Sequence, residues 1–185
     1  MHRQIRRLGL SGGMVLAMAG SVGAQVIPMS FDDIVTAADT IVVAEAIDSR
    51  AQWVTTGASR AIITRVTCRV TDTLKGLDRI LLPLEFRGGT IGDVSYEVSG
   101  VPTFELGDRA VLFVLAARAV SPIVGHMQGR FPINTAPDGI DYVTLPDRRA
   151  FSSVGQIGSP VLVSPAAIPT MTLTAFRDTI DQMVQ

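Results

Sequence analysis

An unbroken run of apolar residues from Ala110 to Ala116 is the feature that most restricts the fold of this 185-residue chain. The run is rich in Val, Leu and Phe, and it lies between a Gly107-Asp108 turn signal and Arg118. A strand covered on one face alternates apolar and polar residues, whereas a strand buried on both faces does not. The sequence therefore predicts a central strand here, with the other strands packed around it.

Residues 1–24 have the pattern of a secretory signal peptide. Three arginines precede a short apolar stretch at residues 14–19, and the small residues at 22–24 form an expected cleavage site. We therefore expect an exported chain, periplasmic or extracellular, that begins at Gln25. The Arg6-Arg7 pair leaves both the general secretory and the twin-arginine routes open. Because a transmembrane helix needs about 20 apolar residues, no membrane span is expected in the mature chain.

Charge and cysteine content exclude several classes of protein. Removal of residues 1–24 would leave 13 basic and 17 acidic residues, a net charge of −4. The basic residues are dispersed, so we expect no nucleic-acid surface. The single cysteine, Cys68, cannot form an internal disulfide. The fold must therefore be stabilised by packing, and the length fits one domain with its own core.

Alternation of apolar and polar residues predicts a mainly β fold downstream of residue 24. Ser30 and Asp33 resemble a capping box, which predicts a short helix over residues 31–38. The clearest alternation begins at Ile62, and Pro83 is expected to point outward or to lie on an edge strand because it cannot donate a ladder hydrogen bond. The predicted strands cover residues 40–47, 62–70, 79–86, 94–98, 110–116, 123–133 and 140–145.

The C-terminal quarter differs in composition from the predicted strands. Residues 146–172 are rich in Gly and Pro, and only Val161 to Val163 has the character of a strand. An apolar stripe at Leu173, Phe176, Ile180 and Met183 then predicts a C-terminal helix. We expect a signal peptide at 1–24, a β-barrel domain at 25–145, and an excursion with a C-terminal helix that packs on the barrel at 146–185.

Two predicted loops are candidates for binding a partner. One contains Trp53, the only tryptophan, and aromatic residues of this kind are enriched at binding hot spots. The other is Gly88-Gly89-Thr90-Ile91-Gly92, in which three glycines allow positive φ or close approach to a ligand. For the glycines, a wide turn between strands is favoured over a ligand loop, and for Trp53 the alternative is that it seals a barrel end.

Catalytic and metal-binding motifs are sparse. The predicted mature chain contains one histidine, His126, and one cysteine, so no zinc site within one chain and no cofactor are expected. Cys68 lies on the apolar face of a predicted strand, which favours a buried structural thiol over a nucleophile. His126 is interpreted as a strand histidine, with a ligand contact or a general base as the alternatives. No serine lies in a G-x-S-x-G turn, and there is no phosphate-binding loop.

Residues 36 to 133 resemble two known kinds of domain. The strand ending in Val70-Thr-Asp-Thr-Leu-Lys-Gly76 resembles the early part of netrin-like modules, the OB-type barrels of tissue inhibitors of metalloproteinases. A pattern of glycines and aromatics is similar to that of an uncharacterised class of secreted bacterial domains; it comprises Leu74-Lys-Gly76, Gly88-Gly89, Gly92, Gly100-Val-Pro-Thr-Phe104, Gly107-Asp108, Val111-Leu-Phe-Val114 and Gln128-Gly-Arg-Phe131.

The resemblance implies an OB-like barrel of five to six strands, with a short N-terminal helix and a C-terminal helix. It implies no inhibitory residues, because those inhibitors chelate zinc through an N-terminal cysteine and this mature chain is expected to begin at Gln25. The site residues predicted for partner binding are Trp53, Gly88, Gly89, Thr90, Gly92 and His126.

These features predict an exported, non-enzymatic β-barrel domain that binds a protein or a cell-envelope polymer. Two alternatives stay open: a secreted hydrolase that uses His126 with a serine or Cys68, and an accessory or inhibitor of an extracellular protease. The oligomeric state and the identity of the partner are not predicted.

Overall fold

The computed structural model describes residues 27–57, 59–116, 120–159 and 171–185. These residues form a mainly β fold with two α-helices and one short 3₁₀-helix. The predicted signal peptide and the predicted strand at Val161 to Val163 lie outside the described residues. In chain order the elements are α1 (Phe31–Ala37), β1 (Thr40–Thr56), β2 (Ser59–Lys75), β3 (Leu81–Arg87), β4 (Gly89–Ile91), β5 (Val94–Tyr96), β6 (Arg109–Val114), β7 (Arg130–Thr135), β8 (Asp141–Val143), the 3₁₀-helix (Val154–Gln156) and α2 (Leu173–Val184).

Six strands form one antiparallel sheet in the order β3-β2-β1-β6-β7-β8. The hairpin of β4 and β5 forms a separate two-stranded sheet. β1 and β2 are 17 residues each and pair along nearly their whole length. Only the first part of β1 also pairs with β6, from Thr40↔Val114 to Glu45↔Arg109. From Asp48 to Thr56, β1 therefore pairs with β2 alone among the described strands.

The predicted central strand is confirmed as β6. Ala110 to Val114 are all buried, although the residues alternate between two faces of the sheet. Val111 and Phe113 belong to one hydrophobic cluster, whereas Ala110, Leu112 and Val114 belong to another. A strand covered on both sides needs apolar residues at every position, which accounts for the unbroken run.

The first cluster lies under the two helices. It joins α1 and α2 to one face of β1, β6 and β7 through five phenylalanines that contact one another, mostly edge to face: Phe31, Phe113, Phe131, Phe151 and Phe176. Aromatic pairs at these separations add stability beyond the area that they bury. The predicted C-terminal helix is confirmed as α2, which buries Phe176 and Ile180 in this cluster.

α1 confirms the predicted capping signal. The Ser30 side chain accepts a hydrogen bond from the Asp33 N–H at the N-terminus of the helix, while Phe31, Ile34 and Val35 are buried. At the other end, the Lys75 Nζ at the end of β2 donates to the Val35 carbonyl at 2.9 Å. A cation bonded to a free carbonyl near a helix C-terminus is favourable. α1 is therefore held to the sheet at both its side and its end.

The second cluster lies on the other face of the sheet. It contains the inward residues of β1, β2, β3 and β6, among them Cys68, Leu84, Phe86 and Leu112. The segment that follows β6 bridges toward β3, since the Arg87 N–H donates to the Val120 carbonyl at 3.0 Å. No strand pairing joins β3 to β8 in the part of the chain that the structure describes, so the sheet is open and a closed barrel is not confirmed.

Both outer strands of the main sheet have covered edges. Pro83 lies in the middle of β3, which is an edge strand as predicted, and its side chain is exposed. At the opposite edge, the Val143 N–H of β8 donates to the Met171 carbonyl at 2.8 Å, and Thr172 forms a bridge with Tyr142. Proline and covering segments are ways in which natural sheets block further strand pairing.

The predicted Trp53 loop is wrong. β1 continues to Thr56, and Trp53 lies within it opposite Ile62 of β2. Residues 48–56 are mostly polar, so their alternation is weak. Their strand conformation is set by pairing with β2, a tertiary effect that overrides local preference.

The predicted strand over residues 123–133 begins too early. Residues 124–129 form turns, and β7 begins at Arg130. Gly125 and His126 have φ values of 59° and 66°, in the left-handed region that a strand does not use. Gly129 passes close to Phe113, since a Cβ there would lie 3.0 Å from the Phe113 Cβ. The predicted turn at residues 137–139 and the return strand β8 are confirmed.

The excursion predicted after residue 145 is partly described. Phe151 and Ile157 are buried in the first cluster, and the 3₁₀-helix carries a capping box between Ser153 and Gln156. No helix among the described segments is long and apolar enough to span a membrane.

We expect Phe113→Ala to lower the free energy of unfolding by about 3–5 kcal/mol, because the ring is fully buried among other phenylalanines and its removal leaves a cavity. Chemical denaturation measures this change. Leu106→Ala, at a side chain that is 69% exposed, is the matched control and should cost less than about 0.5 kcal/mol. A loss under about 1 kcal/mol for Phe113→Ala would contradict its central place in the core.

Candidate functional site

Three successive residue pairs of the β1–β2 hairpin lie on the face of the sheet that carries the second cluster. The register pairs Ser49 with Val66, Ala51 with Thr64, and Trp53 with Ile62. Since alternate residues of a strand share a face, these pairs form a row with steps of about 7 Å. The row carries the site, because the β4–β5 hairpin lies across it.

The hairpin contacts the middle of this row at Gly89. A Cβ at Gly89 would lie 2.3 Å from the Thr64 Oγ1 and 3.1 Å from the Ala51 Cβ, so a larger side chain would separate the two layers. Gly89 also has a φ of 134°, and the preceding Gly88 donates its N–H to the Ile62 carbonyl at 2.9 Å. Close approach of backbone accounts for this glycine pair, to the Tyr96 carbonyl at Gly88 and to the sheet at Gly89.

The remaining predicted loop residues belong to the hairpin. Thr90 lies in β4, and its hydroxyl is 3.0 Å from that of Ser95 in β5. Gly92 has a φ of 57° in the two-residue turn between the strands, a position that favours glycine. The glycine-rich stretch therefore turns the chain between strands, as the favoured interpretation predicts, but the turn has only two residues and Gly89–Ile91 form β4.

A cavity of about 500 Å³ lies between the β4–β5 hairpin and the face of the main sheet that carries the second cluster. Its wall is completed by the segment at residues 97–104, which connects β5 toward β6. It is lined by Ser49, Thr64, Val66, Phe86, Arg87, Gly88, Gly89, Thr90, Ser95, Tyr96, Glu97, Val98, Val101, Pro102, Thr103 and Phe104. Hydroxyl groups, two phenylalanines and one charge of each sign are thus mixed, as in pockets that bind small ligands or single side chains.

Phe104 fixes the wall segment in place. Its ring centre is 5.3 Å from that of Phe86. The Arg130 guanidinium carbon lies over the Phe104 ring, 4.5 Å from the ring centre. Arg130 also donates to the Asp108 carboxylate at 2.7 Å, and that carboxylate accepts the Glu105 N–H at 3.0 Å. One arginine therefore anchors both the aromatic ring and the end of the segment.

The Arg130 side chain is largely buried. Its side chain is only 13% exposed, and its Nε–H has no acceptor among the described residues. Burial lowers the pKa of this guanidinium below its ordinary value, and the charge of Asp108 opposes that shift. An arginine stays protonated through the physiological range in any case. Its ion pair with Asp108 is the compensation that a buried charge requires.

Trp53 lies on the same face of the main sheet as the β4–β5 hairpin, but it does not line the cavity. By register it is one step beyond the Ala51–Thr64 pair that contacts Gly89, on the side away from the Ser49–Val66 pair. The indole is 38% exposed, and the Arg60 guanidinium lies 4.1 Å from its centre. The predicted surface is therefore partly assembled, with the cavity on one side of β4 and Trp53 on the other.

His126 lies elsewhere and is not a strand residue. It is exposed, and it occupies a turn with a φ of 66°. Its carbonyl accepts the Ser121 hydroxyl at 2.8 Å. A Cβ at Gly100 would be 3.6 Å from the His126 Cβ, so the turn lies beside the middle of the wall segment. His126 is thus a neighbour of the wall and not a lining residue of the cavity.

Cys68 is a buried free thiol within the second cluster. Burial raises the pKa of the Cys68 thiol from 9.0 to about 11, because a thiolate would lose its hydration there; the positive charge of Arg130 acts in the opposite direction. A nucleophilic cysteine needs the thiolate form near neutral pH. The environment therefore favours the structural interpretation.

The ionisable residues on the other face of the sheet form a row of ion pairs. Arg69 pairs with Glu45 at 2.7 Å, and Arg109 pairs with Asp141 through two hydrogen bonds. Hydrogen bonds from Arg109 and Thr135 hold the pKa of the Asp141 carboxyl below its ordinary value. The first pair joins the neighbouring strands β2 and β1, whereas the second spans β7 from β6 to β8. No group of three or more His, Cys, Asp or Glu side chains suited to a metal ion occurs in the described ranges.

The sequence missed the floor and the wall of the cavity. Thr64, Phe86 and Phe104 were visible only as strand residues or as part of a glycine-rich pattern. The available signal was a pair of glycines, Gly100 within the wall segment and Gly107 just after it, which have φ values of 79° and 88° in the structure. Comparison with protein-family models, with curated proteins and with solved structures found no significant match. The resemblance to netrin-like modules therefore stays a prediction.

We expect Cys68 to resist a thiol reagent at pH 8 in the folded protein and to react promptly in denaturant, since both burial and the raised pKa suppress the thiolate. Ellman's reagent measures both states. Rapid labelling of the native protein would revive the interpretation of Cys68 as a nucleophile.

The same shift predicts a pH dependence of stability. The unfolded thiol ionises near pH 9, whereas the folded thiol ionises near pH 11. The stabilisation is therefore fully present below about pH 9 and is lost as the pH rises toward 11, by about 2 kcal/mol. Urea denaturation of wild type and Cys68→Ala across this range isolates the contribution. Parallel curves for the two proteins would refute it.

Proposed function

We propose that this chain is an exported, non-enzymatic domain that binds a protein or a cell-envelope polymer through the cavity beside the β4–β5 hairpin. The observation that carries the proposal is the cavity itself, about 500 Å³, between the β4–β5 hairpin and the main sheet. Sites at the mouths of β-barrels and between layers are common for ligands. An OB-like barrel stays part of this proposal, supported by the bridge from Arg87 to Val120.

The composition of the lining favours binding over catalysis. Thr64, Thr90 and Ser95 present hydroxyl groups that are already engaged with the Gly88 carbonyl or with each other. Phe86 and Phe104 supply apolar area on the inner side. Hydroxyl and aromatic groups can orient a ligand by hydrogen bonds and contact area without reacting with it.

The hydrolase alternative is disfavoured by placement. Cys68 is buried inside the sheet, whereas His126 is exposed in a turn. Ser121 donates to the backbone carbonyl of His126 rather than to its imidazole. A nucleophile and its general base must lie within hydrogen-bond reach of each other. The alternative of an accessory or inhibitor of an extracellular protease is a binding function, and it is distinguished by the identity of the partner.

Thr103→Trp should abolish capture of the partner, because the exposed Thr103 side chain lines the cavity and an indole there would occupy it. The measurement is capture from culture supernatant and from solubilised envelope, followed by mass spectrometry. Leu106→Trp is the matched control, since Leu106 is exposed two residues after the wall segment and does not line the cavity. Equal capture by the two variants would show that the cavity is not the binding site.

Trp53→Ala tests whether the indole belongs to the same surface. Because the indole is partly exposed and contacts the Arg60 guanidinium, we expect the free energy of unfolding to fall by about 1 kcal/mol or less. Capture of the partner should weaken if the surface extends past β4. A loss of several kcal/mol in thermal denaturation would instead identify Trp53 as a structural seal of the hairpin.

A further inference from the structure

Strand edges differ in how well they are covered in this fold. The outer edge of β3 is interrupted by Pro83, and its end is bonded to Val120. The outer edge of β8 is bonded to Met171. β5 pairs with β4 alone among the described strands, and all three of its residues are exposed. It is not the only open edge among them, since residues 48–56 of β1 pair with β2 alone. An exposed strand edge offers N–H and C=O groups that an added strand can bond.

The cavity lies directly beside this edge. Ser95 and Tyr96 of β5 line it, as does Glu97, which follows them. In recognition by strand addition, main-chain hydrogen bonds supply affinity, and a pocket that receives alternate side chains supplies specificity. β5 and the cavity bring these two elements together, with Phe86 and Phe104 as the apolar part of the pocket.

The charge around β5 selects the partner. Between Arg87 and Arg109 the chain contains four acidic residues and no basic one. Asp108 is paired with Arg130, whereas no salt bridge within the described part of the chain involves Asp93, Glu97 or Glu105. Arg87 is the single basic residue that lines the cavity. A partner segment with basic side chains would complement this surface.

We propose that the partner is a protein and that it binds by adding an extended segment to the edge of β5. The segment alternates basic residues with apolar ones. Its backbone bonds to β5, its basic side chains face Asp93, Glu97 and Glu105, and an apolar side chain enters the cavity against Phe104. This inference rests on the proposed function, and it specifies the chemistry of the partner and the geometry of binding.

The probe is a capped nine-residue peptide that alternates lysine with valine or threonine, compared with the same sequence carrying glutamate in place of lysine. Fluorescence anisotropy gives the dissociation constants, and amide chemical shifts of labelled protein locate the contact. We expect the lysine peptide to bind about tenfold or more tightly than the glutamate peptide, since several exposed ion pairs are gained or lost together. The amides of residues 94–97 should shift.

Backbone methylation tests the strand pairing itself. An added strand uses the N–H groups of alternate residues. Methylation of the odd-numbered amides and methylation of the even-numbered amides of the lysine peptide should therefore differ, with binding lost in one series and kept in the other. Equal binding of both series, or equal binding of the lysine and glutamate peptides, would overturn the inference, as would failure of both peptides to bind.

Charge reversal on the protein supplies the matched control. Glu97→Lys should weaken the lysine peptide about threefold to tenfold, because one attraction becomes a repulsion. Asp178→Lys, on the exposed side of α2, makes the same change in net charge away from β5 and should have no effect. Equal weakening by both variants would show only a net-charge effect and would contradict the assigned site.

The two proposals fail in different ways. If the captured partner is lost with Thr103→Trp but is indifferent to Glu97→Lys and to competition by the lysine peptide, the cavity binds a ligand of another kind, and only the inference fails. If neither capture nor any effect of Thr103→Trp is found while the lysine peptide also fails to bind, both fail.

Discussion

The pairing of β1 with β6 is the contact on which the other layers depend. Its residues alternate between the two hydrophobic clusters, so the same six-residue ladder contributes to the core on both faces of the sheet. Burial on both faces removes apolar surface from water twice over for each strand. A change that shifts the ladder by one residue would exchange the two faces and disrupt both clusters together.

Arg130 connects this core to the cavity. It follows the turn at residues 124–129 and begins β7, and its guanidinium contacts both Phe104 and Asp108. The wall of the cavity is thus held by a residue of the main sheet and not by the hairpin. A pocket whose wall is fixed by a rigid element keeps its shape without a ligand, which reduces the entropic cost of binding.

Sequence reasoning predicted what depends on periodicity and on local signals. The α1 cap at Ser30, the apolar run of β6, the edge position of Pro83 and the stripe of α2 follow from one residue or one repeat. It failed where distant pairing decides the conformation. Trp53 is in a strand because β2 lies opposite it. Gly89 lies against Thr64, a residue 25 positions earlier in the chain. The cavity was hidden for the same reason.

The covered edges of the main sheet have a consequence for the protein at high concentration. Pro83 on β3 and the Met171 segment on β8 prevent copies of the chain from joining edge to edge into continuous sheets. The edge of β5 is three residues long, whereas the segments that stack into fibrils are about six or seven residues long. β5 can thus present a strand edge at the surface while being too short by itself to template polymerisation.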